Sequence, residues 1–172
     1  MSAPTTPLPS FKSLDDRDDE RSVLLGYLRW HRVVLTRKLE GLTDREARLA
    51  ACPPSGMSIL GLVRHMTDVE RAWFRVSLRG EEIGFRYTDG PGDERDLFPP
   101  DGVSATDTLA AFWDEAAVVD AILATASMDE RTVAGHQHST LRRIIVHLIE
   151  EYARHCGHAD LLREAIDGRT GD

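Results

Sequence analysis

The sequence predicts an all-α protein, a four-helix bundle, and three observations carry that expectation. Apolar residues recur at helical spacing in four stretches of roughly 20 residues or more. Residues with start and stop chemistry bracket those stretches, among them Ser58, Gly80, Ser104 and Gly168. The connection over 80–103, with five Gly and three Pro, keeps no sustained period and is long enough to traverse a bundle. A chain of 172 residues suits one compact domain with a sizeable core. The expected organisation is a lead-in over 1–14 followed by a single bundle domain over 15–172.

The lead-in, MSAPTTPLPSFKSL, is rich in Pro, Ser and Thr and reads as irregular. The acidic run DDRDDE then favours a helix start through the macrodipole. Leu24, Leu28, His31, Leu35, Leu39 and Leu42 share one face, which predicts a first helix from about 16 to 41 that stops near Gly41. Thr43, Asp44 and Glu46 predict a short capped turn, ended by Pro53 and Pro54. Ser58 opens a second helix over about 57–79, with an inward stripe of Leu62, His65, Val69, Ala72 and Val76 and with Trp73 near its edge. Arg64, Asp68, Arg71 and Arg75 fall on another face of that helix and are expected in solvent. Ser104 and Asp107 start a third helix over about 104–126, whose core face is Leu109, Phe112, Ala116, Val119 and Leu123, with Trp113 alongside. Ser139 or Thr140 begins the fourth, which runs to about 166 before Gly168 breaks it.

Bulk properties exclude several classes of function. A formal net charge of −8, with Lys12 and Lys38 the only lysines, argues against a nucleic-acid partner, because such binding draws on clustered cations. Cys52 and Cys156 form no CxxC pair and are too few for a disulfide scaffold, which favours a reducing compartment. No signal pattern opens the chain and no apolar run approaches the length of a membrane span. A cytoplasmic protein without a membrane partner is expected.

The chemistry concentrates in RIIVHLIEEYARHCGHADLLREAID, from Arg143 to Asp167. A helix turns about 100° per residue, so Leu141, Ile144, Leu148, Glu151, His155, His158, Leu162 and Ile166 fall in one stripe. A carboxylate and two imidazoles thus sit where a core face should be apolar, and burying them without partners would cost several kcal/mol. A metal ion would satisfy them. Glu151 and His155, spaced i, i+4, can grip one cation, and His65 of the second helix is the third candidate ligand. Two imidazoles and one carboxylate leave an open position, the pattern of a catalytic zinc site; nickel or iron suits the same ligands. His158 either replaces one of these ligands or orients one from behind.

The remaining candidates have plainer readings. His31 is expected as a core or pocket residue, His147 on the flank of the stripe, and His136 and His138 in a loop. Cys156 follows His155 directly, but neighbouring helical residues point about 100° apart, so the thiol reads as packing rather than as a nucleophile. Trp30, Trp73 and Trp113 read as core or pocket-wall aromatics, with Trp73 near the mouth of the site.

The segments GLTDREAR, SILGLVRHMTDVERAWF and RRIIVHLIEEYARHCGHADLLREAIDG resemble the DinB-like superfamily, in particular its branch linked to mycothiol-dependent enzymes and similar to the metal-binding domain of mycothiol-dependent maleylpyruvate isomerase. The resemblance implies an up-down-down-up bundle and a divalent metal at one end. The ligands would be a histidine of the second helix, matched by His65, and an i, i+4 pair on the last, matched by Glu151 and His155. It further implies a low-molecular-weight thiol of the mycothiol type as cosubstrate, used in S-transfer or isomerisation of small electrophiles, with detoxification as the expected role and a homodimer as the expected assembly. Arg64, Arg142, Arg143 and Arg154 are the candidates for holding a carboxylated thiol or acidic substrate. The rival reading is a non-catalytic bundle, a binding or stress-response protein in which His65, Glu151 and His155 form a buried hydrogen-bonded cluster.

Overall fold

A computed structural model describes residues 19–90, 92–135 and 138–171. The predicted lead-in and the first residues of the predicted first helix lie outside that range. Helix α1, Glu20–Arg37, is capped by Asp19, whose carboxylate accepts the Ser22 N–H at 2.9 Å and faces the positive end of the helix dipole. A single turn, α2 (Asp44–Ala47), is held by the reciprocal capping box of Thr43 and Glu46. Ser58 caps α3, Ile59–Glu70. This helix continues without a break as a π-helix over Arg71–Leu78 and ends at Gly80 in a left-handed conformation. A 3₁₀ turn, Arg95–Leu97, interrupts the long connection. Ser104 caps α4, Ala105–Thr125, and Thr140 caps α5, Leu141–Asp167, which Gly168 terminates at φ 77°. The described residues form no strand, only an isolated bridge between Arg131 and Thr140.

Side-chain pairs fix the directions of the helices. Glu20 meets Arg142, the His31 carbonyl meets Cys156, and the Lys38 carbonyl meets Arg163, so α1 and α5 run parallel. His65, Glu70 and Trp73 meet His155, Tyr152 and His147 in turn, so α3 and its π extension run antiparallel to α5. Arg21 reaches the carbonyls of Leu123 and Ala126 while Arg32 reaches Asp120, so α1 opposes α4. The order is up-down-down-up. All four long helices supply the core, with Leu28, Leu35, Leu62, Met66, Phe74, Phe112, Val119, Ile144 and Leu148 essentially inaccessible. Each such side chain contributes about 1.5–3 kcal/mol by leaving water. Among the described residues, no helix is long and apolar enough to cross a membrane.

Three sequence expectations are corrected. The charged face of the second helix is not solvated: Arg64 is 7% exposed and Asp68 3%. The connection after Gly80 folds back over it, and Asp68 accepts the backbone N–H groups of Arg86 and Tyr87 at 2.7 and 2.9 Å. The Arg64 guanidinium lies 4.2 Å from the Tyr87 ring centroid, and Arg71 and Arg75 both pair with the buried Glu115. The inward stripe of that helix is also displaced. Met66, Glu70 and Phe74 are buried where Val69, Ala72 and Val76 are only half-buried, because α3 already has a neighbour on most sides and the i→i+5 bonding after Glu70 shifts the helical phase. Trp113 is 40% exposed rather than a core or pocket-wall residue; Phe112 takes the inward position, and its neighbour points about 100° away.

Candidate metal centre

α3 and α5 cross with His65, Glu151 and His155 facing one another. One ligand-type atom from each of the three lies within 4.8 Å of the other two. The imidazole centroids of His65 and His155 are 4.9 Å apart in an edge-to-face arrangement, and His155 Nε2 is 3.5 Å from Glu151 Oε2. Donors sharing one tetrahedral ion lie about 3.4 Å apart, so side-chain adjustments of roughly 1 Å would bring this set to ligation distance. His65 and Glu151 are half-buried and His155 is buried, which leaves the cluster reachable from one side.

Asp96 is the site residue that the sequence reading missed. It is 3% exposed, and its Oδ2 accepts from His65 Nδ1 at 2.8 Å. An ionised carboxylate can only accept, so the proton sits on Nδ1 and Nε2 keeps its lone pair toward the cluster. Asp96 arrives from the 80–103 connection, in the 3₁₀ turn Arg95–Leu97. That turn lies so close to α3 that a Cβ on Gly61 would stand 2.1 Å from the Leu97 carbonyl oxygen. Gly61, one helical turn before His65, is the only local signal that backbone must press here.

The surroundings of His155 keep its imidazole neutral. Burial first, then the neighbouring His65, His158 and Arg154, lower its pKa from 6.5 to about 4. In the unfolded chain the same residue takes up a proton near 6.5, so between pH 6.5 and 4 the unfolded state binds more protons, and stability falls as pH falls. At about 1.4 kcal/mol per pK unit, metal-free protein should lose on the order of 3 kcal/mol more across that window than a His155→Gln variant. Urea unfolding at a series of pH values measures this, and parallel curves for the two proteins would contradict it.

The other candidates are placed as follows. His158 lies behind His155, with the two Nδ1 atoms 3.4 Å apart, and is not one of the three converging residues. With the proton of that contact on His155 Nδ1, its Nε2 is free toward Glu151. His31 is half-buried and its Nδ1 donates to the Tyr27 carbonyl at 3.0 Å. His147 is closer to the chemistry than expected: its ring packs edge-on to Trp73 with centroids 5.0 Å apart, and with Glu150 and Glu151 it forms a second cluster within 4.8 Å. That cluster is the weaker one, because Glu150 is exposed and Arg154 already pairs with both carboxylates. His136 lies outside the described residues, and His138 is exposed, its carbonyl accepting from Arg131. Cys156 is a core residue whose thiol is pushed by burial up to about 12, which makes it inert near neutral pH. Arg142 pairs with Glu20 and Asp129 and Arg64 is buried, whereas Arg143 is exposed and lines a groove beside the cluster.

An up-down-down-up bundle with a histidine–carboxylate cluster between its second and last long helices defines a DinB-like protein. The chain belongs to the mycothiol-S-transferase family, whose model matches residues 23–168. No curated protein sequence matches it. Among solved structures, the fold is similar to that of a conserved protein from Enterococcus faecalis with a TM-score of 0.62 and 13% identity, over 89% of this chain and 100% of that one. That likeness concerns the fold alone.

Proposed function

We propose that the protein is a metal-dependent transferase that joins a low-molecular-weight thiol of the mycothiol type to small electrophiles, with His65, Glu151 and His155 holding a divalent ion. The observation that supports this best is the convergence of the three donors on one point with Asp96 fixing the tautomer of His65. Zinc is the first choice for two imidazoles and a carboxylate; nickel and iron suit the same set. Such an ion would act as a Lewis acid, favouring the thiolate of an incoming thiol near neutral pH.

The chain's own residues do the rest. Asp96 keeps the His65 proton on Nδ1, and burial keeps His155 uncharged, so both present a lone pair. Glu151 brings a carboxylate, with Arg154 at 3.3 Å from its other oxygen. Cys156 supplies no nucleophile, since its thiol stays protonated and meets the His31 carbonyl. The nucleophilic sulfur therefore comes from the cosubstrate. Cytoplasmic detoxification is the role that this chemistry fits.

The test is elemental analysis of purified protein combined with an assay of mycothiol consumption against a panel of alkylating electrophiles. One divalent ion per chain is expected, together with thiol-dependent turnover that a chelator abolishes and the metal restores. Protein that takes up no metal on supplementation and shows no turnover would instead be the non-catalytic bundle.

A further inference from the structure

Beside the cluster runs a groove of about 630 Å³, lined by Trp73, Ser139, Arg143, Ile144, Val146, His147 and Glu150. Its volume is that of a pocket for a small organic ligand. Residues 143, 147 and 150 lie on successive turns of α5, so the groove follows the helix, and Trp73 closes it from the π-helical segment. Its two ends differ in charge. Glu150 stands at the end next to Glu151, paired with His147 and Arg154. At the other end, Arg143 is exposed and has no acid partner among the described residues, whereas the adjacent Arg142 is held by two. Between them, Trp73 and Val146, the latter 52% exposed, offer carbon surface beside the polar Ser139 and His147.

We infer that this groove is the subsite for the electrophile, and that it selects elongated aromatic or other apolar molecules carrying a carboxylate at the end away from the reacting carbon. The inference rests on the proposed transferase reading and adds the substrate class. An aromatic body gains from packing against the indole of Trp73 and the exposed side chain of Val146. Arg143 sets the orientation: it takes the carboxylate in a two-pronged hydrogen bond, so the uncharged electrophilic end lies toward Glu151. From residue 143 to 151 the helix rises about 12 Å, roughly two aromatic rings in length. In that pose the thiol sulfur forms a bond to the electrophilic carbon while the bond from that carbon to a halide breaks. The halide leaves with the electron pair, and the thiol proton passes to buffer.

Two unreactive probes test this, biphenyl-4-carboxylate and its neutral analogue biphenyl-4-carboxamide, titrated calorimetrically into the protein as isolated and after chelator treatment. The carboxylate should bind at least tenfold more tightly than the amide, with or without chelator. Arg143→Gln should erase that preference while leaving amide binding within twofold, and Trp73→Leu should weaken both probes about equally. Absence of binding, a preference that survives Arg143→Gln, or one that disappears with the metal would each overturn the assignment. Failure of the transferase reading looks different: both probes bind as described, yet no mycothiol is consumed with any electrophile, 4-(bromomethyl)benzoate included.

Discussion

Glu70→Ala is expected to destabilise the protein by about 3 kcal/mol or more, because it strands a buried guanidinium. Arg32 is 1% exposed; its Nε and Nη2 donate to the two oxygens of Glu70 at 2.7 and 2.6 Å, and Nη1 donates to Asp120 at 2.8 Å. Burial works against the charge of Arg32, but the Glu70 carboxylate outweighs it, and the net effect holds the guanidinium more firmly protonated. Tyr152, fully buried, donates its hydroxyl to the same carboxylate, and burial together with that negative charge raises its pKa well above the usual value. Removing Glu70 leaves both donors without their main partner. Asp120 alone remains for Arg32, and it is half-buried. The triple replacement Arg32→Met, Glu70→Leu, Tyr152→Phe removes donors and acceptor together and should recover most of the loss, since desolvating an ion pair offsets much of its attraction. Urea unfolding measures both variants. A Glu70→Ala protein within about 1 kcal/mol of the parent would show that water reaches this cluster. The network ties α1, α3 and α5 together directly below the three converging donors, so the triple variant also asks whether it holds their register.

For the proposed centre, His155→Ala is expected to bring metal content to near zero and thiol transfer to background, because a set of three protein ligands would lose its most buried member. Asp96→Asn should be graded rather than absolute. The amide still touches His65 but no longer carries the charge that fixes the imidazole proton, a kind of change that costs 10–100-fold in metal affinity. Competition with a chromogenic chelator ranks the three proteins. Equal affinity in the parent and Asp96→Asn would remove Asp96 from the site, and undiminished metal in His155→Ala would dismantle the proposed centre.

Much of this was legible from spacing. Leu28, Leu35 and Leu39, or Leu141, Ile144 and Leu148, declare their helices because burial selects apolar side chains at the helical repeat. Ser58, Ser104, Thr140 and Gly168 declare the ends because orphan N–H and carbonyl groups need those chemistries. Glu151 and His155 stood out for the opposite reason, as polar groups on an apolar stripe. The same logic misled for Arg64, Asp68, Arg71 and Arg75. A run of charges reads as a wet surface unless some other segment is known to cover it, and helical periodicity says nothing about where a connection rich in glycine and proline comes to rest. Arg32 and Glu70 were invisible for a related reason: each is an ordinary charge locally, and only their meeting across α1 and α3 makes them a buried pair.

The sequence by itself determined the four long helices, their caps, and the presence of a histidine and a carboxylate on the inner face of the last one, because all of these follow from neighbours within one or two turns. Tertiary structure decided what lies beside them. It brought Asp96 to His65 from a stretch with no period, seated its turn against Gly61, placed Trp73 and His147 along one groove, and left Arg143 without an acid partner among the described residues while committing Arg142. These pairings span tens of residues, and their energies depend on which groups are desolvated together, a property that no local pattern encodes.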